Sequence, residues 1–317
     1  MKNKFFKVGK KYIGENKKIF IIAEIGINHG GNFKKCIKMI NAAARSGADS
    51  VKIQTNDVNE SYAPRTASYK EFKFKNFSDK ELLKLKRYSE SLGVIFFSSP
   101  GDIKSLKRLI RIKIPVIKIS SGLATNLPLI GEVIRRKIPI IISTGFSDKK
   151  DLDDLKKFID KFNFRKIAIL KCTSIYPASS SELDLNSIKF LKEKFNLPVG
   201  YSDHSMGDLA TVVAVSCGAT IIEKHFTLNK LQKGADHKIS LEPKEFINMV
   251  NKIRTTEEML GKKVFRIGDV LSLDNIGFFR HNRKKSGLEP KYFFHLKSKK
   301  SKANFRKNQI ISKKILN

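Results

Sequence analysis

The 317-residue sequence lacks several features, and each shortage excludes a class of protein. It has no Trp and only three cysteines, Cys36, Cys172 and Cys217, with no C-x-x-C spacing. An odd number of thiols in apolar segments predicts reduced core cysteines, not a disulfide framework or a cysteine-ligated zinc site. No apolar run reaches the roughly 18 residues of a membrane-spanning helix, and the Lys-rich N-terminus has no signal-peptide core. We therefore expect a cytoplasmic protein with no membrane partner.

Acidic residues are also few, with 30 Asp and Glu against 63 Lys and Arg, a net charge of +33. Such a charge suits an anionic partner, which could be nucleic acid, acidic lipid or a phosphorylated substrate. The excess is mostly scattered Lys, accompanied by many Ile and Asn. This distribution favours compositional drift, since nucleic-acid surfaces cluster basic residues with aromatics. We predict no specific nucleic-acid partner, although nucleic-acid binding stays an alternative that a salt-dependent shift assay would detect.

Short apolar runs alternate with longer helical patterns along most of the chain. The runs lie at 20–25, 50–54, 94–98, 116–120, 139–144, 167–173, 198–202 and 220–226. Helical patterns lie at 34–46, 79–92, 102–110, 127–136, 148–162, 184–195, 208–217 and 243–260. Strands that are apolar on both faces and separated by amphipathic helices indicate parallel β–α units.

Eight such units match the size of an α/β fold of the (β/α)8 TIM-barrel type, which we assign to residues 1–261 as the catalytic domain. An open doubly wound sheet is the alternative, but no G-x-G-x-x-G follows the first run. Residues 262–317 break into short fragments with an excess of Lys and Arg. They predict a small, basic, loop-rich second module that could contact an anion.

Functional side chains of such a barrel lie at the C-terminal ends of its strands, which we call the barrel mouth. The predicted strands start with apolar residues and end with polar ones. The polar residues at these ends include Glu24, Lys52, Gln54, Ser99, Lys118, Ser121, Ser143, Lys171, Ser174, Tyr176, Asp203, His204, Glu223 and His225.

His204 and His225 end the seventh and eighth predicted strands, which are neighbours in a barrel. Adjacent strands lie about 4.8 Å apart, so the two imidazoles can converge on one divalent ion. Taken singly, each histidine could equally be a hydrogen-bonded mouth residue. As a pair they predict a metal site with open positions, to which Glu24 could add a carboxylate.

Lys52 and Lys118 point into the same mouth, beside Ser99, Ser121 and Ser143. Buried lysines need an anion, and hydroxyl groups add hydrogen bonds to phosphate oxygens. Two alternatives stay open: a lysine paired with a neighbouring Glu, and a lysine that forms a Schiff base as in barrel aldolases.

Several long motifs together resemble the sialic acid synthase family, collinearly from about residue 20 to residue 260. They are AEIGINH at 23–29, VKIQT at 51–55, KISSG at 118–122, ISTG at 142–145, CTS at 172–174 with Tyr176-Pro177, GYSDH at 200–204, EKHFT at 223–227 and DHK at 236–238.

The resemblance implies an enzyme that condenses phosphoenolpyruvate with an N-acetylated hexosamine, such as N-acetylmannosamine or a 2,4-diacetamido-hexose. The products would be a nine-carbon 2-keto acid, a sialic or other nonulosonic acid, and phosphate. His204 and His225 would hold Mn²⁺, with Mg²⁺ or Co²⁺ as other candidates. Glu24, Gln54, Tyr176 and Asp236 would position the sugar, protons and water. Phosphoenolpyruvate would bind to Lys52, Ser99, Lys118, Ser121, Ser143 and Ser174.

The tail resembles the family's antifreeze-like (SAF) module, which implies a domain-swapped homodimer and an arginine for the sugar, Arg280 first and Arg283 second. Two departures stand out. Leu123 replaces the Glu of the family's Ser-Gly-Glu, and the module's first strand is missing between Gly261 and Gly268. They keep open an inactive homologue, beside the Schiff-base pyruvate aldolase as the rival enzyme. The sugar and the carboxylate that acts as base are also open, with Asp236-His237-Lys238 leaning toward the sialic or legionaminic branch.

Overall fold

The computed structural model describes residues 4–261, 263–265 and 305–306. The chain separates into two compact units, Met1–Thr256 and Glu257–Asn317. The second unit contributes only the end of a helix and a short antiparallel pair, β11 (Lys263–Phe265) with β12 (Phe305–Arg306), to the described residues. β11 lies between Gly261 and Gly268, so the expectation that this stretch has no strand is wrong. Arg280, Arg283 and nearly all of the predicted antifreeze-like module lie outside the described residues, so these predictions stay predictions.

The first unit opens with an antiparallel hairpin, β1 (Phe5–Val8) and β2 (Lys11–Gly14). Its Phe6, Val8 and Ile13 are buried in the main core. Lys11 Nζ lies 2.6 Å from a carboxylate oxygen of Asp49, which directly precedes a barrel strand. The hairpin therefore packs at the N-terminal end of the barrel, opposite the mouth. Sequence patterns missed it because four-residue strands are too short to show a period.

Eight parallel strands then close into a barrel in the order β10-β3-β4-β5-β6-β7-β8-β9. The strands are β3 (Phe20–Gly26), β4 (Ser50–Thr55), β5 (Ile95–Pro100), β6 (Ile117–Ile119), β7 (Ile140–Ser143), β8 (Ile167–Cys172), β9 (Val199–Asp203) and β10 (Ile221–His225). The closed order confirms the predicted TIM barrel and excludes the open doubly wound sheet. Nearly every strand residue is buried, because helices cover the outer face and side chains fill the interior.

The main helices follow the strands as the periodicity predicted. They are α1 (Phe33–Arg45), α4 (Asp79–Ser91), α5 (Ile103–Arg111), α6 (Leu127–Arg135), α7 (Lys149–Lys161), α8 (Ser187–Phe195), α9 (Leu209–Ser216) and α10 (Pro243–Met259). Two short helices that the sequence did not indicate, α2 (Val58–Ser61) and α3 (Ala67–Phe72), lie in the long loop after β4. Capping boxes begin α4 and α7, at Ser78 with Glu81 and at Asp148 with Asp151, where side chains satisfy the first free N–H groups.

Candidate active site

A polar cavity opens at the barrel mouth, where the C-terminal strand ends and their loops converge. Arg280 lies outside the described residues, and Asp236 does not line the cavity; every other residue predicted for the site lines it. Its lining comprises Glu24, Lys52, Gln54, Ser99, Lys118, Ser120, Ser121, Gly122, Ser143, Phe146, Cys172, Ser174, Tyr176, Ser202, His204, Glu223 and His225.

Two lysines and two glutamates form a buried cluster within this cavity, which we call the lysine–glutamate cluster. Lys52 Nζ lies 2.9 Å from Glu24 Oε2 and 3.5 Å from Glu223 Oε2. Lys118 Nζ lies 3.6 Å from Glu223 Oε1 and donates to Ser143 Oγ at 2.7 Å. Lys52 also donates to Ser99 Oγ at 3.2 Å. Both lysines therefore have an acidic neighbour and a hydroxyl partner.

The carboxyl groups of Glu24 and Glu223 differ in pKa because their surroundings differ. Burial raises the pKa of Glu24, and the negative charge of Glu223 adds to the effect. Burial alone would also raise the pKa of Glu223, but Lys118 and Lys52 together hold it below its ordinary value. Glu223 is therefore the permanent anion of the cluster, and Glu24 is the carboxyl group that can gain or lose a proton.

The two lysines differ in the same way. Burial would lower the pKa of Lys52, but Glu223 and Glu24 raise it above its ordinary value. Burial lowers the pKa of Lys118, whose nearest carboxylate is farther away. Lys52 is thus held as an ammonium group by two carboxylates, and a protonated amine is a poor Schiff-base nucleophile.

Glu223 was predicted from the sequence to lie at the mouth, but no role was predicted for it. A usable signal was present, because Glu223 and His225 are two residues apart on one strand and therefore share a face. Cys172, Ser202 and Phe146 were likewise not predicted as site residues. Ser202 Oγ donates to Glu223 Oε1 at 2.8 Å, a contact between register partners on the adjacent strands β9 and β10.

His225 is the last residue of β10, and His204 directly follows the neighbouring parallel strand β9. The centroids of their rings are 5.4 Å apart. The ring of His204 is fixed by a hydrogen bond from Nδ1 to the Thr173 carbonyl at 2.7 Å, because only the ring nitrogen can donate to that oxygen. The lone pair of neutral His204 is then on Nε2, which accepts from the Tyr176 hydroxyl at 3.0 Å. Such an anchored tautomer is typical of metal-binding histidines.

His225 is buried, and its Nδ1 has no hydrogen-bond partner among residues 4–261. Asp236 Oδ2 lies 3.7 Å from this nitrogen. Burial, together with the positive neighbours His204 and Lys52, lowers the pKa of His225 well below its ordinary value, so the ring is neutral. For His204, burial alone would lower the pKa, but the Cys172 thiol and the Thr173 carbonyl raise it.

These donors fit a divalent ion at an open site. A neutral imidazole is the form that binds metal, and His225 Nδ1 is a buried nitrogen without a partner. Within the described part of the chain, no group of three or more His, Cys, Asp or Glu side chains is placed so that it could hold a metal ion. Two histidines would thus hold the ion, leaving its other positions to water and substrate oxygens.

Two glycines let the site residues approach each other. Gly26 has φ +55°, and a Cβ there would lie 3.1 Å from Asp236 Oδ2 and 3.2 Å from Glu24 Oε1. At Gly145, a Cβ would lie 2.3 Å from Ser174 Oγ and 2.9 Å from Ser121 Oγ. A side chain at Gly145 would therefore push apart two serine hydroxyls that face the cavity, and one at Gly26 would press on Glu24 and Asp236.

Leu123 packs with its partly buried side chain against the hydrophobic core, and it does not line the cavity. It lies in a 3₁₀ turn, Ser121–Leu123, in which Ser121 and Gly122 do face the cavity. Leu123, where the resemblance led us to expect a carboxylate, thus makes a core contact. In the described residues, no helix is long and apolar enough to cross a membrane.

Comparison with known proteins decides the family. A family model described as the NeuB family matches residues 39–265, most of the chain. The chain belongs to the NeuB family. N,N'-diacetyllegionaminic acid synthase of Legionella pneumophila is 36% identical to this NeuB-family chain, and the match covers 80% of the chain and 76% of that protein.

Two further proteins that resemble this chain are also named as acid synthases or synthetases. Pseudaminic acid synthase of Campylobacter jejuni is 33% identical, with 90% of this chain and 93% of that protein covered. The crystal structure of N-acetylneuraminic acid synthetase from Leptospira borgpetersenii, in complex with citrate, superposes with a TM-score of 0.78 at 33% identity, covering 81% of this chain and 90% of that one. The NeuB-family chain is therefore an enzyme of the condensing synthase type.

Proposed function

We propose that this enzyme condenses phosphoenolpyruvate with an N-acetylated hexosamine, giving a nine-carbon nonulosonic acid and phosphate. The reaction requires a divalent ion, for which Mn²⁺ is the first candidate. One observation carries the proposal: a single cavity combines two buried lysines and several serine hydroxyls with two converging histidines. The first set fits an anion with a carboxylate and a phosphate. The second fits a metal ion that polarises a carbonyl oxygen.

In the reaction, C3 of phosphoenolpyruvate forms a bond to the aldehyde carbon of the sugar, whose oxygen takes up a proton. Water adds to C2, and the bond from C2 to the phosphate oxygen breaks. Lys52 and Lys118 would hold the anionic groups, with Ser99 and Ser143 as the hydroxyls already oriented by those lysines. Fixed charges placed before the reaction lower its barrier because they need no reorganisation.

His204 and His225 would hold the ion, which when bound would polarise the aldehyde. Glu24 suits the proton-handling role, since its raised pKa allows both protonation states near neutral pH. Tyr176, half exposed with its hydroxyl on His204, and Asp236 beside His225 would contact the sugar.

The test is to incubate purified protein with phosphoenolpyruvate, Mn²⁺ and a panel of N-acetylated sugars that includes N-acetylmannosamine and 2,4-diacetamido-hexoses. We expect equal amounts of phosphate and 2-keto acid with one sugar, and loss of both after chelation. A borohydride trap with pyruvate should leave no covalent adduct. Absence of product with every sugar would refute the proposal in favour of an inactive homologue, and an adduct would favour the aldolase.

A further inference from the structure

A fully buried ion pair adjoins the two histidines in the sequence, and the proposed reaction does not use it. Asp203 precedes His204, and Lys224 precedes His225. Both charged side chains have no exposed surface. Lys224 Nζ donates to Asp203 Oδ2 at 2.7 Å and to the Ser205 carbonyl at 2.6 Å.

The second carboxylate oxygen of Asp203 is also fully used. Oδ1 accepts from the Tyr201 hydroxyl at 3.0 Å, from the Ser205 N–H at 2.9 Å and from Ser205 Oγ at 2.7 Å. We call Tyr201, Asp203, Ser205 and Lys224 the Asp203–Lys224 network. Its carboxylate has four partners, so the position of the carboxylate is fixed from several directions.

The network lies outside the cavity but holds the backbone that carries the histidines. Lys224 pairs with Asp203 in the register of β9 and β10, and none of the four residues lines the cavity. Side chains alternate along a strand, so Lys224 points away from the face that His225 occupies. The network holds the residues before and after His204 in the chain: the side chain of Asp203, and both the N–H and the carbonyl of Ser205. The two histidine-bearing strand ends are thereby tied together.

Stability alone does not account for this arrangement. Replacing a buried ion pair with apolar side chains of similar volume is often neutral or stabilising, because two charges no longer have to be dehydrated. What the ion pair does provide is a direction and a spacing that apolar contacts do not impose.

We propose that the Asp203–Lys224 network positions His204 and His225 to share one divalent ion; this inference rests on the metal site of the proposed function. The four residues are positioning residues, since they reach the ion only through the backbone of the histidines. Outer groups that orient metal ligands typically contribute about 10- to 100-fold to metal affinity.

The test measures Mn²⁺ binding directly, by the electron paramagnetic resonance signal of free Mn²⁺, together with thermal denaturation. The double variant Asp203→Leu/Lys224→Met replaces the pair with apolar side chains. We expect its Mn²⁺ affinity to fall by about 10- to 100-fold. Its melting temperature should fall as well, because the Tyr201 hydroxyl and the Ser205 N–H and Oγ lose their acceptor. Tyr201→Phe keeps the ion pair, removes one hydrogen bond, and should weaken Mn²⁺ binding by about two- to fivefold.

Arg254→Met is the matched control. Arg254 donates to the Ile19 carbonyl at 2.9 Å and to Asp49 at 3.2 Å, at the opposite end of the barrel. Its loss should lower the melting temperature without changing Mn²⁺ affinity. Equal Mn²⁺ affinity in wild type, Tyr201→Phe and the double variant would overturn the positioning role while the metal site stands. Weaker Mn²⁺ binding in Arg254→Met as well would show that the affinity follows stability, and this result would also overturn the positioning role. If the wild type does not bind Mn²⁺, both the positioning role and the metal site are overturned.

Discussion

Lys118→Met removes one of the two buried ammonium groups that face the cavity and keeps most of the side-chain volume. In the wild type, Nζ donates to Ser143 Oγ at 2.7 Å and to the Ile119 carbonyl at 3.3 Å. A hydrogen bond to a charged group contributes about 1.5–3 kcal/mol, and about 1.4 kcal/mol corresponds to a tenfold change in binding. Losing one such contact to phosphoenolpyruvate should raise its KM by about 10- to 150-fold.

The variant should still fold, because its effects on stability oppose each other. Glu223 loses a cation 3.6 Å away but keeps Lys52 at 3.5 Å. In return, the protein no longer dehydrates the Lys118 ammonium, whose pKa is lowered by burial. We expect the free energy of unfolding to change by no more than about 1–3 kcal/mol.

The assay is phosphate release with one substrate varied while the other is saturating. Lys171→Met is the control, since Lys171 is a half-buried lysine of β8 that does not line the cavity. The KM for the sugar should change little in either variant. A KM for phosphoenolpyruvate within about threefold of the wild type, or an equal rise in the KM for the sugar, would refute the assignment of Lys118 to the anion.

Three more predictions follow from the same geometry. Glu223→Gln leaves Lys52 and Lys118 with less negative charge around them, so the free energy of unfolding should fall by about 3 kcal/mol. Inorganic phosphate should then raise the melting temperature of the variant more than that of the wild type. An equal rise in both proteins would contradict the role of Glu223. Leu123→Glu moves a carboxylate into a core contact and should destabilise the protein by about 1–3 kcal/mol in urea denaturation, whereas unchanged stability would show that the side chain can turn toward the cavity. Because the pKa of His204 is raised, a proton must leave before an ion binds, so Mn²⁺ affinity should increase with pH up to that pKa, by about tenfold per unit, and then level off; calorimetric titration at several pH values would reveal a pH-independent affinity if this is wrong.

The amino-acid sequence was enough to predict the barrel and the polar residues that meet at its mouth. Each predicted strand is buried on both faces and each helix on one, so the period of the apolar residues and the positions of caps fixed the alternation of elements. Since all parallel strands of a barrel end at one rim, the polar residues at those ends had to meet there. Lys52, Lys118, His204 and His225 could therefore be placed at one rim from the sequence.

The protonation states of these groups, and the contacts that hold them in place, depend on the folded structure. A strand pattern places Glu223 on the inner face, but its position between two lysines depends on distances across the barrel. The pKa of each group depends on burial and on neighbours far away in the sequence, which no local pattern encodes. The same holds for the Asp203–Lys224 pair, which reads in the sequence as two ordinary charged residues and is a buried ion pair only because β9 and β10 lie side by side.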